Sequence, residues 1–306
     1  MLTLPNGVFP AMITPFTKDN EIDYPAVGRF LDYFRDCGCA GVFSVCASSE
    51  MDLLSLEERV SLASYISKNK KDLKVVCSGH IGKTFDEQVT EINAMSETGI
   101  DAIILITARL NAPDLDDAGF IANTEHLIGS IKNTDISYGF YERPIENCRR
   151  LTPEVIKHFA DTGKFVFLKD TECQVEPMAK KCAAAKGSNF KLYNANSTFL
   201  YDTLLNGASG FSGNMSNIHC DLYCWLCENF EKYPKEAAYV SDFIGAMSQN
   251  GQQYPAIAKY HQQRYGAYME TYSRLITVPL REENKKRIEQ MENLCNELRQ
   301  TLKNLK

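Results

Sequence analysis

Phe165-Val166-Phe167-Leu168-Lys169-Asp170 is a short apolar run that ends in an amine. Aromatic and β-branched residues in an unbroken apolar run suit a strand buried on both faces. In regular alternation Lys169 shares a face with Phe165 and Phe167, while Leu168 and Asp170 point the other way. The ammonium then meets an apolar interior, where desolvation lowers its pKa toward the neutral form that attacks carbonyls. The alternative is a strand-end lysine that snorkels to water or pairs with Glu172.

Similar runs lie at 8–14, 41–46, 74–77, 102–107, 136–141, 191–194 and 210–213, which makes eight predicted strands. Between them stand helix-start signals: Asp23 before Tyr24-Pro25, Ser55 with Glu58, Thr84 with Glu87, and Thr152 before Pro153. A side-chain oxygen at each position satisfies an N–H that the first helical turn leaves open. Strand and helix alternating eight times predict an α/β chain folded as a parallel (β/α)8 TIM barrel over residues 1–220. Beyond 220 the strand signals stop. Ile288, Met291, Leu294, Cys295, Leu298 and Leu302 recur at helical spacing, so 221–306 reads as a C-terminal helical extension.

The chain has 306 residues, 44% of them hydrophobic, and a formal net charge of −6. That balance, without a basic block, excludes a nucleic-acid-binding surface and leaves small metabolites as partners. No apolar run approaches the roughly 18 residues of a membrane helix, and Leu2-Thr3-Leu4-Pro5-Asn6 lacks an apolar leader core, so a cytoplasmic protein is expected. The eleven cysteines are scattered and several sit in apolar runs, which reads as reduced thiols. His219, Cys220, Cys224 and Cys227 bring soft donors together, but the cysteines fall on one side of a helix and read as a buried thiol face rather than a zinc site. No metal and no cofactor are expected.

In such barrels the reacting groups gather at the C-terminal strand ends. Lys169 supplies a Schiff-base amine there, and Tyr141, one strand earlier, a phenol that can relay a proton. Cys46-Ala47-Ser48-Ser49-Glu50 offers two hydroxyls and successive N–H groups, read either as a carboxylate cradle or as simple capping of the next turn. His80 ends the third run and receives no role. Gly207-Ala208-Ser209-Gly210 with Gly213 fits a phosphate-binding loop of the kind phosphosugar aldolases use, and equally a helix C-cap.

Gly7-Val8-Phe9-Pro10-Ala11-Met12-Ile13-Thr14-Pro15-Phe16, then Glu50 followed by Leu53-Leu54-Ser55-Leu56-Glu57-Glu58-Arg59, then Tyr141 with Pro144, then Lys169-Asp170, resemble the dihydrodipicolinate synthase/N-acetylneuraminate lyase family. The resemblance runs from about Leu4 to about Ser216. It implies class I aldolase chemistry, with Lys169 forming an imine with pyruvate or a related 2-oxo acid and Tyr141 shuttling protons. It also assigns Ser48 and Ser49 to the substrate carboxylate, Ser212 to a backbone carbonyl near the imine, and a homo-oligomer, tetramer or dimer, to the assembly.

The chain departs from the family's pattern in four places. Both glycines and one hydroxyl of the carboxylate loop are replaced in Cys46-Ala47-Ser48-Ser49-Glu50. Glu146 stands where the synthases carry an arginine for the second substrate. Ala108-Arg109-Leu110 replaces a stretch whose tyrosine reaches a neighbouring subunit. Ala195-Asn196-Ser197-Thr198 lacks the acidic pair with which sialic acid lyases read a sugar. The expectation is a Schiff-base lyase or aldolase that joins or cleaves a bond to an aldehyde other than either branch's usual partner, with Arg109, Arg143 and Glu146 lining a different pocket. The alternatives are the 4-hydroxy-tetrahydrodipicolinate synthase proper, and a non-catalytic barrel that binds a 2-oxo acid or regulates.

Overall fold

The structure is a computed structural model and describes residues 2–111 and 115–305. Eight parallel strands, β1 (Gly7–Val8), β2 (Gly41–Ser44), β3 (Lys74–Cys77), β4 (Ala102–Ile106), β5 (Ser137–Tyr141), β6 (Phe165–Asp170), β7 (Lys191–Asn194) and β8 (Gly210–Phe211), pair in chain order, with β1 joined to β8. The ring closes between β1 and β2, where Ala11 bridges Phe43 and the Met12 N–H donates to the Phe43 carbonyl over 2.9 Å. This is the predicted (β/α)8 TIM barrel.

Helices α1 (Tyr24–Asp36), α2 (Leu56–Asn69), α3 (Phe85–Ser96), the single turn α4 (Thr107–Leu110), α5 (Asp117–Gly129), α6 (Pro153–Asp161), α7 (Val175–Ala185), α8 (Leu200–Leu205) and α9 (Cys220–Asn229) lie between and after the strands. The start signals act as read: Asp23 and Thr152 each accept an N–H three residues on, and Ser55/Glu58 and Thr84/Glu87 form reciprocal capping boxes. α9 follows β8 and contacts β1 and β8, so this helix completes the barrel. Beyond it come α10 (Pro234–Met247), α11 (Ala256–Tyr265) and α12 (Glu282–Lys303). Among the described residues no helix is long and apolar enough to cross a membrane.

Two local expectations change. β1 is regular over two residues only; past Val8 the chain crosses between β8 and β2, and Pro10 contributes no N–H to either. In β6 the register slips between Tyr138 and Gly139, which face Phe165 and Phe167 respectively, so Val166 is the extra residue of a bulge. Phe165 consequently faces outward onto Phe159 of α6, ring centroids 4.4 Å apart, and does not share a face with Lys169. Gly139 permits the close approach, since a Cβ there would lie 2.4 Å from the Phe167 carbonyl oxygen. Phe167 stays inside with Phe9, Phe43 and Tyr193, centroids 4.6–5.7 Å apart, and this aromatic plug fills the barrel beneath Lys169.

The C-terminal region is tied to the barrel mouth by buried charge. Lys259 of α11 reaches Glu50 at 2.7 Å with both side chains fully buried, and the other Glu50 oxygen accepts from the Ser273 hydroxyl and the Leu275 N–H, each at 2.8 Å. Arg274 adds two bonds to Glu58, at 2.7 and 2.9 Å. At the far side His261 meets Glu292 at 3.0 Å, and Arg299 links Glu292 to Asp221 with contacts of 2.6 Å to each. The apolar stripe of α12 is buried as read except for Leu294, which is exposed.

Candidate active site

Lys169, the last residue but one of β6, lies on the inner face of the barrel and is 5% exposed. Its Nζ lies 4.9 Å from the Tyr141 ring centroid and 5.5 Å from that of Phe43. Removal of water by these rings lowers its pKa from 10.5 to about 8. Glu172 is not its partner; that carboxylate pairs with Lys181 at 2.9 Å. Tyr141, at the adjacent end of β5, pairs in register with Lys169. Burial pushes its phenol pKa well up, so at neutral pH it holds a proton to donate.

The outward neighbours of these two residues explain their placement. Glu142 and Asp170 turn to the opposite face, and both bond Lys181 of α7 at 2.8 Å. Burial opposes the Lys181 charge, but Glu142 and Asp170 outweigh it and hold the pKa above its ordinary value. This buried triad locks the ends of β5 and β6 together, and with them the phenol and the amine on the inner side.

A cavity of about 460 Å³ opens over Lys169, bordered by Tyr141, Ser48, Thr171, Asn214, Tyr254 and Leu275 among others. Among the described residues that line it, Lys169 is the only lysine, arginine, aspartate or glutamate. Ser48 and Ser49 separate here. Ser48 borders the cavity together with Tyr254. Ser49 is buried, its hydroxyl donating to the Met12 carbonyl at 2.6 Å and accepting from the Cys46 N–H at 3.1 Å. It therefore holds the loop against the strand instead of bordering the cavity, because in the 3-10 turn Ala47–Ser49 the two hydroxyls project in different directions. Ser212 is buried just before the cavity-lining Gly213 and Asn214, with its N–H on the Asn194 carbonyl at 2.8 Å and its hydroxyl unpartnered.

Arg109, Arg143 and Glu146 do come together, but in a neighbouring cavity of about 470 Å³ with Asp52, Lys83 and Asn111. Arg143 is held there by both oxygens of Asp52, one contact measuring 3.0 Å. His80 is buried and its Nε2 accepts the Ile106 N–H at 3.0 Å, a structural link at the end of β4. Burial lowers its pKa to about 4, so it remains neutral.

Tyr254 is the participant that sequence reasoning missed. It arrives from the segment between α10 and α11, and its hydroxyl accepts from Asn217 Nδ2 at 3.0 Å. Asn217 thus holds the Tyr254 hydroxyl at the cavity that Ser48 also borders. No local pattern around Tyr254 signals this, since the contact depends on where the C-terminal helices fold back.

The model of the dihydrodipicolinate synthetase family matches residues 4–293, nearly the whole chain. The chain belongs to that family. Among relatives, a 4-hydroxy-tetrahydrodipicolinate synthase of Shewanella denitrificans is 25% identical over 236 residues, 77% of this chain and 78% of that protein. The fold is shared with a sialic acid aldolase of Ruminococcus gnavus, solved as a catalytic lysine mutant, with a TM-score of 0.83 and 16% identity over 97% of each chain. It is also shared with YagE, a prophage protein of the dihydrodipicolinic acid synthase family from E. coli K12 solved in complex with pyruvate, with a TM-score of 0.81 and 22% identity over 96% of this chain and 98% of that one. The dihydrodipicolinate synthetase family is one of class I aldolases and lyases, and the match extends through α11 into α12, past the region where the motifs alone carried the resemblance.

Proposed function

We propose that this protein is a Schiff-base lyase or aldolase that joins pyruvate, or a close 2-oxo acid, to an uncharged aldehyde, or cleaves the corresponding product. The observation that carries the reading is Lys169: a desolvated amine beside a protonated phenol, in a cavity whose described lining offers no other side-chain cation. Neutral Lys169 attacks the keto carbon, and the carbinolamine loses water to leave an iminium. That positive charge draws electrons from the neighbouring carbon, which releases a proton and becomes an enamine. The enamine carbon bonds to the aldehyde carbon, the aldehyde oxygen takes a proton, and water returns to free the amine. Tyr141 suits the proton steps at the carbinolamine and at the aldehyde oxygen. Ser48 and the N–H groups of Ala47 and Ser48 are the donors for the oxo acid's carboxylate, with Ser49 as the residue that holds their loop. The Ser212 carbonyl is the acceptor that the resemblance assigns to the imine.

The synthase proper, the name that curated relatives carry, needs a cation for the carboxylate of its second substrate. Arg143 is engaged with Asp52 in the adjoining cavity, and Glu146 lines that same cavity, so such a carboxylate finds no partner beside Lys169. Pyruvate consumption measured against a panel of aldehydes tests the reading. Turnover is expected with neutral aldehydes and little with aspartate semialdehyde. Preferential turnover of aspartate semialdehyde to the cyclic synthase product would contradict it, and no turnover with any aldehyde would favour a barrel that only binds the oxo acid.

A further inference from the structure

Behind the barrel wall, away from the cavity, sits a second group of reactive side chains with no part in the chemistry above. α1 ends in the turn Cys37-Gly38-Cys39, whose glycine adopts a φ of +86°, a conformation that side chains disfavour. The N–H groups of Cys37, Gly38 and Cys39 return to the carbonyls of Tyr33, Arg35 and Phe34, so the turn is firmly shaped. It faces the start of α9. Cys39 Sγ lies 3.1 Å from Cys220 Sγ and 3.7 Å from Cys224 Sγ, and all three sulfurs lie within 4.8 Å of one another. Cys220 and Cys224 are buried one helical turn apart, while Cys37 and Cys39 are half-buried and leave a path from solvent.

As small apolar groups, buried thiols need only fill space, and nothing about packing requires their sulfurs to converge. Here three thiols from two segments far apart in the chain converge, one from a glycine turn and two from the first turns of a helix. We propose that Cys39, Cys220 and Cys224 bind one zinc ion as a trithiolate with water as the fourth ligand, tying the α1–β2 turn to the helix that completes the barrel. Tetrahedral zinc with thiolates at about 2.3 Å sets neighbouring sulfurs about 3.8 Å apart. The Cys39–Cys224 distance meets this already, and the Cys39–Cys220 pair opens once the shared proton leaves. Each thiol gives up its proton to solvent on binding, and nothing is oxidised or reduced. The positive end of the α9 dipole favours the thiolates of Cys220 and Cys224. Cys227, further along α9, is outside the group.

The test uses the full chain, reduced, stripped with a chelator and titrated anaerobically with Co²⁺ and then Zn²⁺. One equivalent of cobalt should bind with thiolate-to-cobalt charge-transfer bands and intense tetrahedral d–d bands, and zinc should displace it and raise Tm. Cys39→Ser and Cys224→Ser should lose stoichiometric binding, whereas Cys227→Ser should keep it. Should the first two variants not fold, the zinc-edge X-ray absorption of the wild-type protein supplies the answer, with a shell of three sulfurs and one oxygen expected. Absence of stoichiometric metal, a spectrum without sulfur charge transfer, retention by Cys39→Ser, or isolation of a metal-free Cys39–Cys220 disulfide would each overturn the proposal.

Discussion

Replacing Lys169 by Met should make the protein more stable while ending imine formation. Met keeps the aliphatic stem that packs on Phe43 and Tyr141 and removes the amine. The folded pKa is lowered from 10.5 to about 8, and each tenfold change in an acid dissociation constant is worth about 1.4 kcal/mol, so holding the protonated lysine in the fold costs roughly 3 kcal/mol. The sign follows from proton binding. Below pH about 8 the amine is protonated in both the folded and unfolded states and the full cost is felt. Between about 8 and 10.5 the unfolded chain binds more protons, so wild-type stability rises relative to the variant, and above that range the cost vanishes. At pH 7 the variant should therefore melt roughly 4–6 °C higher, at about 2 °C per kcal/mol for a chain of this size. Differential scanning calorimetry of both proteins between pH 7 and 10 should show the gap closing as pH rises. A variant that melts at or below the wild type at pH 7, with a gap independent of pH, would refute the desolvation argument.

The same titration predicts that kcat/KM falls about tenfold per pH unit below pH about 8, as the neutral amine is depleted, which a pH–rate profile with saturating aldehyde checks. Tyr141→Phe should lower kcat by about 10²–10³-fold with the fold intact, read by steady-state kinetics alongside circular dichroism. Tyr254→Phe should weaken turnover more modestly, about tenfold, without loss of stability, because Asn217 keeps its bonds to the Ala11 and Asn214 carbonyls at 2.8 and 2.7 Å. Glu50→Gln should destabilise by about 3–5 kcal/mol, since it strands the fully buried Lys259, and chemical denaturation measures this.

Much of the barrel is legible in the chain because each strand is a local apolar run and each helix start carries its own hydroxyl or carboxylate. Lys169 and Tyr141 were legible for the same reason, standing at the ends of such runs. What escaped reading depends on contacts between distant segments. Phe165 changed faces because a bulge against Gly139 shifts the register, which alternation within one strand cannot reveal. Ser48 and Ser49 are adjacent and chemically alike, and only the turn that carries them distinguishes the one facing the cavity from the one holding the loop. Tyr254 reaches the cavity because Lys259 and Glu50 draw α11 over the barrel mouth, and the Lys181 triad forms because α7 packs behind β5 and β6. The thiol group needed Cys39, far along the chain from the helix whose cysteines were visible as a stripe.

The account rests on Lys169 bonding covalently to a 2-oxo acid. Incubation of the wild-type protein with pyruvate and borohydride, followed by intact mass and peptide mapping, should find one reduced pyruvate per chain, on Lys169, and none on the Lys169→Met variant. A wild-type protein left unmodified under these conditions, or labelled at another lysine with Lys169 untouched, would contradict it.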